Sequence, residues 1–534
     1  MILLFLVFCP IVAAIAILLG TPARTTALIG SGLTLLAAVV AFVGFQPGHG
    51  FNYVTAFPIS REWRFNFSLG VDGLSLIMVL LTAIVTIAAV WFTSNADHPE
   101  PAKTARDLTQ GDGHTTTTEF VSSEDARFLG ALRQPRDERF ASRGFYACLL
   151  LISAGAIGAF VSLDLFFFYA FHELALIPTF LLIGIWGSGD RHAAAWKITI
   201  YLATGSFILL LGLIMLYRSV PEAARSFDLR ALQTAASAGQ IAPGAQQQIY
   251  LLLLIGFGIL ISLFPFHTWA PQAYASAPAP AAMLHAGVLK KFGLYGLLRI
   301  AVPMLPEGSR HWAWLLIVLL LGNIIYVGLV TIAQKRLDWM LGYSSVMHMG
   351  YIFLGIASGN LLGTTGAAIL MFAHGLSIAL LFAISGQVRD RTGTLRLDEL
   401  GGLGKIMPLA SFAFGLGAFA SIGLPGFANF AAEIMVFFGA FRNGADFAGF
   451  HIYQVTTLLA LWGVVISAVY MLRAYRATFM GTRPDGLATA VDISSGLRLP
   501  IALLAGALLW IGFFPQTLVR VLTPTFRSTF SQTK

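Results

Sequence analysis

Apolar residues come in long runs separated by short polar stretches, and this pattern repeats along the whole chain. A helix needs about 20 mostly apolar residues to cross a hydrocarbon layer. Runs of that kind lie near 2–20, 25–45, 71–93, 144–162, 164–187, 194–217, 249–271, 279–304, 311–333, 338–358, 362–386, 406–440, 453–474 and 499–521. The pattern predicts an all-α polytopic membrane protein of about fourteen spans. Two runs are irregular. The twelfth, 406–440, is long for one crossing and contains Gly423, Pro425 and Gly426, so it reads as a broken helix. The seventh carries Pro265 and Pro271 and reads as broken too. Broken helices in transporters mark working regions, because the freed backbone groups need protein or water around them. The plainer alternative is a pair of proline kinks.

Residues 94–143 fit no bundle. They are rich in Thr, Asp, Glu and Arg, and the expectation is a partly disordered extramembrane insertion. Lys and Arg favour the loops after odd-numbered spans: Arg24, Lys103, Arg106, Arg127, Arg191, Lys335, Arg336, Arg389, Arg391, Arg396, Arg473 and Arg476. The other loops hold fewer. That bias places the insertion in the cytoplasm and both termini outside. The apolar N-terminus reads as a retained first helix, because no basic n-region precedes it and further spans follow at once.

Composition narrows the function classes. Of the residues, 57% are hydrophobic and 11% charged, against roughly 25% charged in soluble domains. The net charge of +8 is spread between the apolar runs without a basic, aromatic-interleaved patch, which reads as membrane topology, and the spans exclude a soluble nucleic-acid binder. Cys9 and Cys148 lie far apart in apolar runs without CxxC or Cys/His spacing. No disulfide framework, zinc site or iron–sulfur cluster is expected, and no phosphate-cradling glycine loop is present.

The informative residues are polar ones inside the spans, each costing roughly 2.5–3.5 kcal/mol on insertion scales. Glu173 sits mid-span beside His172 in FFFYAFHELALIPTF. A carboxyl in hydrocarbon resists ionising unless a cation is near, so it can switch between charged and neutral forms. Lys290 and Lys291 lie in AGVLKKFGLYGLL, where the helix runs on well past them. Adjacent residues point about 100° apart, so one can face the interior while the other snorkels or pairs. Glu433 follows the broken stretch GLPGFANFAAEIMVFF. His267, His285, His348 and His374 recur on separate spans, and imidazole can relay a proton near neutral pH. A lone buried histidine can also simply pack. None has HxxxH or HExxH spacing, so no metal site is expected.

The segments LFPFHTWAPQAY, AGVLKKFGLYGLLR, YSSVMHMGYIFLGIAS, HGLSIALLF and LPGFANFAAEIMVFFGAF resemble the proton-translocating, antiporter-like subunits of complex I, which are related to Mrp-type cation/proton antiporters. With HELALIPTFLLIGIWG and Glu433, the resemblance is to the M type, the counterpart of mitochondrial subunit 4. It covers nearly everything outside 94–143. It implies two inverted five-helix repeats with half-channels joined by a polar axis. The chain then divides into helices 1–3 (1–93), the insertion (94–143), a first repeat (144–304), a second repeat (311–474), and helix 14 with its tail (475–534). Glu173 matches the family's fifth-helix glutamate, Lys291 the eighth-helix lysine, and Glu433 the twelfth-helix acid of the M type. His267, His348 and His374 match the axial histidines. The resemblance implies no cofactor in this chain, with FMN, iron–sulfur clusters and quinone elsewhere in the complex. It implies L-type and N-type antiporter-like subunits as partners, in a bacterial inner membrane.

One departure stands out. The family carries a seventh-helix lysine paired with the fifth-helix glutamate, and Leu260 stands in that place. His172, His285 and Lys290 are the candidate replacements. In QKRLDWMLGYSS, Arg336 and Asp338 stand with their charges swapped relative to the family's usual order. The function implied is proton translocation coupled to quinone reduction in an NADH–quinone oxidoreductase. The alternatives are an Mrp-type Na⁺/H⁺ antiporter subunit and a non-pumping spacer.

Overall fold

The computed structural model describes residues 1–60, 65–93, 138–443, 451–482, 484 and 491–531. The protein is a helical bundle. Eleven helices among the described residues are long and apolar enough to cross a membrane. Polar residues at the ends of the apolar runs start several of them. Asp72 accepts from Ser75 N at 3.1 Å, Asp164 from Phe166 N at 2.9 Å, and Asn360 from Gly363 N at 3.0 Å. Each satisfies a donor that the first helical turn leaves unpaired.

The remaining three expected spans differ from simple crossings. The first is a 17-residue helix, Ile2–Leu18. The eighth, 279–304, is interrupted by π turns at His285–Leu289 and Leu297–Ala301. The twelfth is broken as expected, into Pro408–Ile422 and Ala428–Arg442. The seventh is broken too, into Pro243–Ile261 and Trp269–Ser276, and Ser262 closes its first half in a left-handed conformation.

Other features lie outside the all-helical expectation. Asn52–Ser60 and Phe65–Val71 pair as an antiparallel hairpin between the second and third spans. The expected run 499–521 is two helices, Arg498–Phe513 and Gln516–Ser531, separated at Phe514 and Pro515. The second buries Leu518, Val521, Leu522 and Phe526 while Arg520 and Arg527 face outward. Its Thr525 Oγ1 accepts from Gly73 N at 3.0 Å, which docks it on the start of the Gly73–Phe92 helix. The fourth helix, Glu138–Val161, begins inside the expected insertion. The rest of that insertion lies outside the described residues.

At the centre runs Leu361–Thr392, 32 residues whose apolar window is wholly buried. At 1.5 Å per residue it is roughly 48 Å long, more than a hydrocarbon core of about 30 Å requires. It packs against Gly73–Phe92, Leu337–Ala357, Ala428–Arg442 and Arg498–Phe513. A Cβ on Gly439 would overlap the backbone of Gly363, so the two helices approach as only small residues allow. Large apolar side chains such as Leu36, Ile177, Phe207, Val318 and Trp462 point outward, as surfaces facing lipid or other subunits do.

Candidate functional site

The buried ionisable residues gather along the middle of the bundle. Lys291 is fully buried on the turn after the first π segment. Its Nζ donates to Ala286 O at 2.6 Å and lies 2.9 Å from His374 Nδ1. The His374 ring lies 5.5 Å, centre to centre, from that of His348. His348 Nδ1 is 2.8 Å from Ser344 O, and its Nε2 is 2.8 Å from Ser421 O. A neutral imidazole has one N–H and can donate to only one of these carbonyls; the doubly protonated ring donates to both. Ser421 belongs to the last turn before the break in the twelfth span, so the line of Lys291, His374 and His348 ends at that break.

Glu433 lies just beyond the break, 4% exposed, and its Oε1 has no hydrogen-bond partner among the described residues. Asn429 and the hydroxyl of Tyr351 are likewise buried without partners. Tyr351 is edge-on to the His348 ring at 5.7 Å and close enough to Glu433 for its charge to act on it. Gly423, at φ +80°, brings the chain against the Glu433 carboxylate, and a Cβ there would overlap it. Unpartnered polar groups at this depth are costly unless water or a mobile proton serves them.

At the other end, Glu173 sits on Leu165–Trp186 and accepts a hydrogen bond from Ser206 of Arg191–Ser219. His172 Nδ1 is 3.7 Å from Glu173 Oε1, and its ring stacks on Phe292 at 4.0 Å. Phe292 follows Lys291 directly, so one aromatic contact separates the Glu173 pair from the lysine helix. Glu173 is 38% exposed on this chain.

The candidates therefore fall into groups. Lys291, His374 and His348 form one line, and Glu433 lies across the break at which it ends. Of the three possible substitutes for the missing lysine, His172 is beside Glu173. His285 turns to Tyr274 OH at 3.3 Å, and Lys290 donates to Ser345 Oγ at 3.3 Å. Neither lysine snorkels: Lys291 faces His374 and Lys290 pairs with Ser345. Lys290 and Lys291 are 1% and 0% exposed, because the helix continues to Met304 and neighbours enclose both sides. His267 lies in the seventh-helix break, stacked on Phe264. Leu260 is buried apolar packing.

The structure adds residues that the spans alone did not mark. Arg299 makes a bidentate pair with Asp72, and it also meets Ser75 Oγ and Tyr295 OH, each at 3.1 Å. Their signal was present as single charges at span ends, but nothing local says that they meet.

Residues 162–460 match the family described as NADH:quinone oxidoreductase/Mrp antiporter, TM. The chain belongs to this family. It is 40% identical over 344 residues to a chain 4 of NAD(P)H-quinone oxidoreductase from Picosynechococcus sp., an alignment covering 64% of this chain and 61% of that one. It is 31% identical over 526 residues to a chain 4 from Nostoc sp., covering 96% and 88%. Among solved structures, a chain of respiratory complex I from Thermus thermophilus superposes with a TM-score of 0.81 at 26% identity, covering 99% of this chain and 100% of that one.

Members of this family span membranes within multi-subunit assemblies, and the apolar helices described above suit that setting. Among the described residues no three His, Cys, Asp or Glu side chains are grouped to hold a metal ion. Cys9 and Cys148 are free thiols on separate helices.

Proposed function

We propose that this chain is an M-type, proton-translocating subunit of a respiratory NADH–quinone oxidoreductase, lying between L-type and N-type antiporter-like subunits in the inner membrane with its termini outside. The observation that carries this reading is the buried line from Lys291 through His374 and His348 to Glu433. It joins one broken-helix unit to the other. Residues 144–304 and 311–474 act as two inverted five-helix units. Their broken fourth members, Pro243–Ile261 with Trp269–Ser276 and Pro408–Ile422 with Ala428–Arg442, support that division.

The chemistry is proton hopping between groups whose charges sense each other. When the Lys291 ammonium passes its proton to His374 Nδ1, a neutral amine and an imidazolium result. The imidazolium repels positive charge at His348 and favours transfer onward to Glu433, which becomes neutral on accepting the proton and releases it outward. A change of charge at the Glu173 end resets Lys291. His172 stands in for the absent seventh-helix lysine as the partner of Glu173. Quinone reduction elsewhere in the complex supplies the initial charge movement, and FMN, iron–sulfur clusters and quinone belong to the partner subunits.

The test is proton uptake per electron in proteoliposomes containing the whole complex. K291M and E433Q should lower that ratio sharply while quinone reduction continues with an uncoupler present. An unchanged ratio in both would defeat the reading. Leu260 favours a second reading, a spacer that no longer pumps, and that same unchanged ratio would support it. Copurification with quinone- and NADH-reactive subunits separates complex I from an Mrp-type antiporter assembly.

A further inference from the structure

The break in the seventh span frees backbone groups deep in the bundle. Ser262 ends Pro243–Ile261 in the left-handed conformation, and Pro265 supplies no N–H. Part of the break is fastened to itself, since Leu263 N donates to Gly258 O at 2.7 Å and Trp269 Nε1 to Ile259 O at 3.0 Å. Ser262 O and Phe264 N are served differently. Asn323, from the ninth span, takes both. Its Oδ1 accepts from Phe264 N at 2.7 Å, and its Nδ2 donates to Ser262 O at 3.2 Å. The same Nδ2 donates to Val346 O of the tenth span, Leu337–Ala357, at 2.9 Å.

Asn323 is 0% exposed, and every polar group of its side chain is used. An amide offers one carbonyl oxygen and two N–H groups, and here it meets one N–H and two carbonyls. That match also fixes which way round the amide sits. Asn323 lies in a π segment, Gly322–Val327, and such a turn re-aims the side chains it carries. A Cβ on Gly322 would overlap the Phe264 ring, so the ninth span can approach the break this closely only with a small residue there.

Val346 belongs to the turn of the tenth span that touches the proton-carrying groups. Ser345 Oγ accepts from Lys290 Nζ at 3.3 Å, and Ser344 O is 2.8 Å from His348 Nδ1. The His348 ring is 5.5 Å, centre to centre, from that of His374. One buried amide thus ties the seventh-span break to the partner of Lys290 and to the last ring of the Lys291 line.

We propose that Asn323 is a positioning residue for proton translocation, pinning the seventh-span break to the Ser344–His348 turn so that His348 keeps its place beside His374 while charges along the line change. The inference rests on the function proposed above. Asn323 itself takes up and releases no proton; it acts through the two elements it holds.

The test uses the assembled complex in proteoliposomes, with N323L, N323D and K291M measured beside the parent. N323L keeps a similar volume but carries no hydrogen-bonding group. It should lower proton uptake per electron while quinone reduction continues with an uncoupler present. In N323D the neutral acid has one O–H and one carbonyl and can serve most of the contacts, whereas the carboxylate is an acceptor only and faces two carbonyl oxygens. N323D should therefore approach the parent's uptake ratio at mildly acidic pH and fall towards that of N323L at alkaline pH, each compared with the parent at the same pH. Full uptake in N323L with K291M impaired overturns the positioning role and leaves the proposed function standing. Equal loss of uptake and quinone reduction in N323L marks a merely structural contact and overturns it too. Full uptake in both N323L and K291M overturns the inference together with the function. If N323L does not assemble, N323D decides, and a deficit that ignores pH, or none at any pH, overturns the assignment.

Discussion

Lys291 Nζ lies 2.9 Å from His374 Nδ1, with both residues sealed from solvent within the bundle. The contact joins the eighth span to the central helix Leu361–Thr392. The ammonium donates and the imidazole nitrogen accepts, so a single proton sits between two groups that can each hold it. A lysine can give that proton up, whereas an arginine effectively cannot. K291R should therefore lose proton uptake per electron as severely as K291M, despite keeping the charge. Retention of uptake in K291R, measured in proteoliposomes, would show that the charge alone matters.

His348 is held by two carbonyl oxygens, Ser344 O and Ser421 O, each at 2.8 Å. Losing the ring removes at least one donor from these carbonyls, and an unsatisfied buried group costs roughly 1–3 kcal/mol. H348F should lower the thermal stability of the solubilised complex and abolish most proton uptake. H348Q, whose amide carries two N–H donors, should recover more of the stability than of the uptake, because an amide cannot take up and release a proton. Thermal unfolding measured beside uptake separates the two effects.

Gly423 and Glu433 meet across the twelfth-span break. The left-handed conformation at Gly423 costs an ordinary residue roughly 1–2 kcal/mol, and a Cβ there would also overlap the carboxylate. G423A should reduce proton uptake as E433Q does. In an E433A background the overlap disappears, so G423A should add little further loss in uptake. A double-mutant cycle on uptake rates checks this, since neighbours that share a contact are not additive.

Much of this site was legible one residue at a time. Gly423, Pro425 and Gly426 announce a break because they supply a left-handed turn and a missing donor, and the break occurs there. Lys291 and Glu433 stand out because charge inside an apolar run needs a partner or a use. What local sequence could not carry is pairing at long range. Nothing near Asp72 points to Arg299, 227 residues away. Ser206 reads as an ordinary small residue of a membrane helix until Glu173 is beside it. The π turns escape for a related reason. They leave the apolar pattern of the eighth span intact and alter only which way Lys290 and Lys291 face. The strands Asn52–Ser60 and Phe65–Val71 lie between two long apolar runs and are each too short to register as a span.

The Asp72–Arg299 pair gives the last prediction. Arg299 Nη1 donates to Asp72 Oδ2 at 2.6 Å, Nη2 donates to the other oxygen, and Ser75 and Tyr295 complete the set. Both side chains are 9% exposed, so neither charge can turn to water when its partner is removed. Breaking a buried pair from one side costs about 3–5 kcal/mol, most of it from the charge left behind. R299M should therefore destabilise the chain strongly, seen as poor assembly into the complex and earlier heat aggregation. The double variant D72N/R299M leaves no uncompensated charge and should lose less than R299M alone. If instead the double variant lost the sum of the two single effects, the residues would be acting independently, and the pair would not be what ties the third span to the eighth.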